Sequence, residues 1–120
     1  MSPRISILGL VFLLAATAYA QEFKCPSSHG KKLLVNTAVF DGPPKNMFEL
    51  EPDDSGGKKS YTWASWDVSD LFKSGRTLFL TCWYGSLKDP EIVTIQADKP
   101  VQKCVFRTHG AGLPAEMICK

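Results

Sequence analysis

The sequence predicts a small antiparallel all-β domain, folded as a sandwich or a barrel-like meander and tied by two disulfides. Turn-forming residues recur about every ten residues from Gln21 onward, and the stretches between them are rich in β-branched and aromatic side chains. No long stretch shows the 3.6-residue periodicity of an amphipathic helix. The four cysteines form an even set, which in an exported chain indicates two disulfides.

The segment 76–84 is predicted to be the central strand. In an extended conformation its side chains alternate between two faces. One face would carry Leu78, Leu80, Cys82 and Tyr84, and the other Thr77, Phe79, Thr81 and Trp83. Because both faces are bulky, we expect this strand in the middle of the fold, with Cys82 joining it covalently to another segment.

The first 20 residues have the pattern of a signal peptide. Arg4 is followed by an almost uninterrupted apolar run over residues 5–16 and then by the small-residue sequence Ala18-Tyr19-Ala20. We therefore expect cleavage before Gln21, export to the periplasm or secretion, and one domain spanning residues 21–120. The apolar run is shorter than the ~20 residues that cross a bilayer, so no stable membrane insertion is expected.

The charge of the mature chain argues against one class of partner. Without Arg4, 13 lysines and arginines stand against 12 aspartates and glutamates. A nucleic-acid-binding surface normally carries a clustered basic excess, so we expect no nucleic-acid partner.

Strands and turns alternate along the first half of the mature chain. We predict strands over residues 22–26, 33–40, 47–51 and 60–68, with a turn at 27–30. The sequence Asp41-Gly42-Pro43-Pro44 ends the second strand, because Gly42 accepts positive φ and prolines cannot donate to a ladder. The polar, glycine-containing segment 53–59 is predicted to be a hairpin tip that joins 47–51 to 60–68.

The second half continues the same pattern. One helical turn is predicted within 67–74, before the central strand. Further strands are predicted over 91–95, 101–108 and 113–119, and the last two form a hairpin about the glycine-rich turn 109–112.

Four cysteines allow three connectivities. The predicted final hairpin places Cys104 and Cys119 on adjacent strands. Cys82 and Cys104 would be separated by the strand 92–95, and a two-strand separation of about 10 Å exceeds the reach of a disulfide. We therefore predict the pairs Cys25–Cys82 and Cys104–Cys119, and a Cys25–Cys119 pair would contradict this scheme.

The sequence lacks the patterns of catalytic and metal-binding sites. A cysteine nucleophile would need a neighbouring base, and His29 and His109 are the only histidines in the sequence. In an exported chain, cysteines are expected to form disulfides instead of remaining free thiols. No zinc-site spacing is present, segment 56–60 lacks the first glycine of a phosphate loop, and the acidic cluster lacks the calcium-loop pattern (Glu49, Glu51, Asp53 and Asp54). We expect no enzymatic activity, no cofactor and no bound metal.

The tryptophans are the candidate binding residues. Trp63 and Trp66 are three residues apart, so on one strand they point to opposite faces and cannot share a core. One of them, or Trp83, is expected at the surface, where an aromatic ring can stack on a sugar or anchor a protein interface. His109 begins a flexible loop, 109–114, that is a further candidate for contact with a partner.

Several motifs together resemble a known family. They are Lys24-Cys25-Pro26, Phe40-Asp41-Gly42-Pro43-Pro44, Leu50-Glu51-Pro52, Leu80-Thr81-Cys82-Trp83-Tyr84 and the Gly112-Leu113-Pro114 sequence before Cys119. In this order, after a signal peptide, they resemble the STY0301 family of small exported bacterial proteins. The resemblance implies a bacterial periplasmic protein and supplies no catalytic residues.

These observations lead to two functional hypotheses. The first is a non-enzymatic periplasmic domain that binds another protein, such as an inhibitor or an immunity-type protein for a cell-wall hydrolase. The alternative is a glycan-binding or peptidoglycan-binding module that uses exposed tryptophans. The exposure of Trp63, Trp66 and Trp83 discriminates between them, because a stacking module requires accessible rings.

Overall fold

Two antiparallel sheets face each other across one hydrophobic core in the computed structural model, which describes residues 22–120. The predicted signal peptide, residues 1–20, lies outside the described residues. Among residues 22–120, no helix has both the length and the apolar character needed to span a membrane.

The described part of the chain forms nine strands. In chain order they are Phe23–Lys24 (β1), Ser28–His29 (β2), Lys32–Asp41 (β3), Asp54–Lys58 (β4), Tyr61–Asp67 (β5), Leu78–Tyr84 (β6), Glu91–Gln96 (β7), Lys103–Arg107 (β8) and Glu116–Cys119 (β9). Two pairs, β2–β3 and β4–β5, are joined by two-residue turns. A 3₁₀ helix spans Pro44–Asn46, and a short helix, Ser69–Lys73 (α1), confirms the helical turn predicted before the central strand.

The strand order identifies the fold as a sandwich. One sheet has the order β1-β9-β8-β5-β4 and the other the order β2-β3-β6-β7. The all-β prediction is confirmed. Of the two predicted architectures, the sandwich is correct, because β3 pairs with β6 and β5 with β8 instead of each strand pairing with its successor.

The core is formed where the inner faces of the sheets meet. The four-stranded sheet contributes Leu34, Val39, Leu78 and Leu80, and the five-stranded sheet contributes Trp66, Cys104, Phe106 and Met117. As predicted, β6 is an interior strand, between β3 and β7, and its Leu78, Leu80, Cys82 and Tyr84 row is buried. In its second row, on the outer face of the sheet, Phe79 and Trp83 are half-buried and Thr81 is buried.

Both predicted disulfides are confirmed. Cys25 and Cys82 have their Cα atoms 5.7 Å apart and tie the N-terminal segment to β6. Cys104 and Cys119 face each other across β8 and β9, with Cα atoms 4.0 Å apart. The argument against a Cys82–Cys104 pair assumed the wrong geometry: β7 does not separate the two residues, because they lie in different sheets.

Two predicted elements in the segment 47–59 are wrong. Residues 47–51 form only one isolated bridge, between Phe40 and Glu49, after Met47 adopts a left-handed conformation with φ 63°. The segment expected to be a hairpin tip is instead β4, which pairs along its whole length with β5. An edge strand that is exposed on both faces needs no apolar residues. The composition of such a strand is therefore as polar as that of a loop, and the sequence pattern does not distinguish the two.

A smaller difference concerns the turn predicted at 27–30. Ser28 and His29 form β2 and pair with Leu33 and Lys32 in a tight hairpin. Gly30, at the bend, has φ 61°, which a residue without a Cβ adopts without strain.

Candidate protein-binding surface

The outer face of the five-stranded sheet combines unpaired cations with apolar side chains. Alternation along the strands sends every second residue to this side. We call it the basic face, and it consists of Lys24, Asp54, Lys58, Tyr61, Trp63, Ser65, Asp67, Lys103, Val105, Arg107, Glu116, Ile118 and Lys120. The opposite rows of the same strands carry Trp66, Phe106 and Met117 into the core.

The carboxylates of the basic face already have other partners. Glu116 contacts His109, with 2.8 Å between Oε1 and Nε2. Asp67 accepts hydrogen bonds from the Ser69 hydroxyl and backbone N–H, at 2.7 and 3.1 Å, and the hydroxyl contributes most to lowering the pKa of Asp67. Asp54 accepts from the Ser55 backbone N–H at 2.9 Å.

The cations of this face are exposed and form no salt bridges with these carboxylates. Within residues 22–120, no carboxylate oxygen lies within 4.0 Å of the charged nitrogens of Lys24, Lys58, Lys103, Arg107 or Lys120. Exposed charges are well solvated, so the unpaired cations cost the isolated domain little free energy apart from the repulsion between directly opposed neighbours. With five cations and three carboxylates, the face carries an excess of two formal positive charges.

A groove between β8 and β9 lies on the basic face. It encloses about 180 Å³. Val105 and Ile118 lie directly opposite each other and form its apolar floor. Its rim consists of Lys103, Arg107, Glu116 and Lys120.

The comparison with protein families decides what kind of protein this is. Residues 28–120 match the model of the family described as Type VI secretion system Tli immunity protein. The chain belongs to this family. The resemblance to the STY0301 family is not confirmed. No curated protein and no solved structure matches the chain.

Membership in an immunity protein family agrees with the hypothesis that this chain binds a protein partner. The match covers every strand of the sandwich except β1, so it includes the basic face almost entirely. It names no residue that makes the contact, and Trp63, Trp66, Trp83 and His109 stay predictions as binding residues.

In this Tli family member one tryptophan is buried and two are half-buried. Trp66 is 5 % exposed and donates its indole N–H to the Leu50 carbonyl at 3.0 Å. Trp63 is half-buried on the basic face, so the prediction that Trp63 and Trp66 point to opposite faces is confirmed. Trp83 is half-buried on the outer face of the other sheet, where its N–H donates to Thr81 Oγ1 at 2.9 Å.

This placement argues against the hypothesis of a glycan-binding module that stacks a sugar on several tryptophans. Trp63 and Trp83 lie on the outer faces of different sheets and cannot line one binding site. Trp66 has no accessible ring face to offer. A glycan site on this protein would have to use a single tryptophan.

His109 lies beside the basic face, where it holds the Glu116 carboxylate. The loop that it begins also walls a wide cleft of about 670 Å³ between the ends of the two sheets. Backbone and small side chains, such as Gly110, Ala111 and Gly112, form much of that wall. The cleft thus offers few groups that would select a ligand.

Residues 22–120 contain no group of three or more His, Cys, Asp and Glu side chains placed to hold a metal ion. All four cysteines are in disulfides, so none is a free thiol. His29 lies 3.5 Å from the Glu91 carboxylate and stacks at a tilt on Tyr84, which is a structural role.

The cations of the basic face were missed at the level of sequence. The near-zero net charge of the mature chain concealed them, because the acidic residues lie mostly elsewhere or are already paired. The signal that reveals them is the alternation Lys103-x-Val105-x-Arg107, with every second residue long and basic or aliphatic.

Proposed function

We propose that this chain is an exported immunity protein that binds a type VI effector protein in the periplasm and blocks it by occupancy, without catalysis. The observation that carries the proposal is the family match over residues 28–120. An immunity protein acts by binding its effector, and binding requires a rigid complementary surface instead of a catalytic site.

The fold supports this proposal in two ways. The two disulfides are the kind of covalent tie that persists in an oxidising compartment such as the periplasm. The basic face presents Tyr61, Trp63 and Arg107, and these residue types are enriched among the residues that dominate binding energy at protein interfaces.

A growth-rescue experiment tests the proposed function. Each type VI effector of the bacterium that encodes this chain is directed to the periplasm of a sensitive host, with and without the full-length chain. We expect one effector to lose its toxicity, and isothermal titration with the purified pair to show saturable 1:1 binding. If the chain does not improve the survival of the host with any of the effectors, the result would contradict the proposal.

The compartment is tested in the same host. A variant without residues 1–20 serves as the matched control, because it has the same folded domain but no export signal. We expect it to accumulate in the cytoplasm and to leave the periplasmic effector toxic. N-terminal sequencing of the exported protein should begin at Gln21, and equal protection by both forms would argue against periplasmic action.

A further inference from the structure

The strongest unexplained feature of the molecule is a pair of like charges at one end of the groove between β8 and β9. Lys103 and Lys120 exchange both backbone hydrogen bonds, at N···O distances of 3.1 and 3.0 Å. Residues paired in this way project to the same side of an antiparallel ladder, so the two lysine side chains start from neighbouring positions on the basic face. Like charges placed directly opposite each other destabilise a sheet.

Within residues 22–120, no carboxylate forms a salt bridge with either lysine, and Asp67 interacts with Lys103 only at a separation greater than 4.0 Å. The nearest candidate is Asp67, which lies opposite Lys103 on β5. Its carboxylate is held by Ser69, and it makes no salt bridge with either lysine. An anion supplied from outside would satisfy both ammonium groups at once.

The other end of the groove repeats the pattern. Arg107 lies opposite Glu116, an arrangement that normally yields an ion pair. Glu116 is instead engaged by His109 at 2.8 Å, and no salt bridge joins it to Arg107. The guanidinium therefore keeps its donors, which match a carboxylate in two-pronged geometry.

The apolar floor shows that a bare anion is not the best-fitting occupant. Val105 and Ile118 are half-buried between the charged ends. An occupant that fills the groove needs carboxylates at both ends and an apolar side chain between them. A polypeptide segment with acidic residues flanking an aliphatic or aromatic one has this chemistry.

We infer that the groove between β8 and β9 receives an acidic segment of the effector. Carboxylates of that segment lie against Lys103 and Lys120 at one end and Arg107 at the other. A single apolar side chain of the segment packs between Val105 and Ile118. This inference rests on the proposed function, because it names the part of the partner that the basic face binds.

The outer face of the other sheet is the competing surface. It carries Phe40, Phe79, Trp83 and Ile92, with Ile92 half-exposed. No charged side chain lies among the paired residues of this row, so nothing there indicates the chemistry of a partner. The groove is favoured because its charges indicate an acidic partner.

The test uses the full chain and the effector assigned by growth rescue. The groove variant Lys103→Glu/Arg107→Glu reverses two exposed charges without touching the core. Its matched control is Lys45→Glu/Lys88→Glu, two exposed lysines outside the basic face. Circular dichroism and thermal unfolding of both variants establish that they fold.

We expect the groove variant to raise Kd by about tenfold or more and the control to change it less than about threefold. Wild-type affinity should fall roughly tenfold between 50 and 500 mM NaCl, since salt screens exposed charges. Ile118→Ala should weaken binding, whereas Ile92→Ala on the competing face should not. Acid-to-lysine changes in the protected segment of the effector, located by hydrogen exchange, should restore binding to the groove variant.

Different failures have different meanings. If the wild-type chain binds its effector but the groove variant behaves like the control, the inference falls and the proposed function stands. If Ile92→Ala or Trp83→Ala weakens binding instead, the effector sits on the other sheet and the inference is again overturned. If the wild-type chain binds no effector but retains isolated peptidoglycan, both the inference and the proposed function fall.

Discussion

Trp63 lies on Gly56 of the neighbouring edge strand. The two residues are directly opposite each other on β5 and β4, and a Cβ built at residue 56 would come within 2.9 Å of the Trp63 indole nitrogen. Glycine thus provides the space in which the indole packs against the backbone of β4. This contact adds side-chain packing to the backbone pairing that holds β4 at the edge of the sheet.

Gly56→Ala should therefore displace the Trp63 ring. Because the added methyl overlaps the indole, we expect the free energy of unfolding to fall by about 1–3 kcal/mol, together with a red shift of tryptophan emission. Chemical unfolding and fluorescence measure the two effects.

A double-mutant cycle isolates the contact. In a Trp63→Leu background the clash is relieved, and alanine should be neutral or stabilise by about 0.4–1 kcal/mol through the unfolded state. An equal loss of stability in both backgrounds would show that Gly56 acts through its own backbone and not through the ring.

Tyr84 makes stability fall at alkaline pH. Its hydroxyl donates to the Pro26 carbonyl at 2.8 Å, and burial raises the pKa of Tyr84 above its usual value. The folded state therefore favours the neutral phenol. The stabilisation is fully present below the unfolded pKa of about 10 and is lost as the pH rises through the higher folded value.

Tyr84→Phe tests this dependence. It should cost about 0.5–1.5 kcal/mol at neutral pH, through loss of one hydrogen bond, and the difference from wild type should shrink above pH 10. Urea unfolding from pH 7 to pH 11 measures it, with Tyr61→Phe as the matched exposed control. A difference that stays constant over this range would rule out the titration.

The two disulfides should contribute unequally. Cys25 and Cys82 are 57 residues apart, and Cys104 and Cys119 are 15 apart. In the chain-entropy account, closing the longer loop stabilises by about 4 kcal/mol and the shorter by about 3 kcal/mol. Thermal unfolding of Cys25→Ala/Cys82→Ala should therefore occur below that of Cys104→Ala/Cys119→Ala, and the reverse order would show that packing around the second pair outweighs loop length.

Arg76, which precedes β6, forms an ion pair with Asp41 at the end of β3. Its guanidinium contacts both carboxylate oxygens of Asp41, with Nε donating to Oδ1 at 3.1 Å, and the Asp41 side chain is only 11 % exposed. Arg76→Gln should cost roughly 1–2 kcal/mol, because it leaves a largely buried carboxylate without its cation.

The matched control for Arg76 is Lys73→Gln. The Lys73–Asp70 pair spans 4.0 Å on the open surface, so its removal should be nearly neutral. Denaturant unfolding of both variants gives the comparison. Equal effects would mean that the Arg76 pair is as weak as an ordinary surface pair.

Local pattern carried most of the fold prediction. The alternation of 78–84, the turn chemistry at Asp41-Gly42 and the hairpin about 109–112 are properties of neighbouring residues, and each is present in the structure. The strand at 54–58 was not predicted, because no local pattern marks it. It pairs with β5 along its whole length and places Gly56 against Trp63, and composition does not record such a contact.

The sequence by itself determined the all-β class and the central position of 78–84, because alternation and turns act over short distances. The hairpin about 109–112 also indicated the Cys104–Cys119 pair, which leaves Cys25 for Cys82. Only the tertiary structure decided the division into two sheets. That division places Trp63 and Trp83 on outer faces of different sheets and gathers five cations onto one face of a nearly neutral chain. The physical reason is that strand pairing between distant segments, such as β5 with β8, sets which side chains become neighbours, and this pairing is fixed by packing of the whole core.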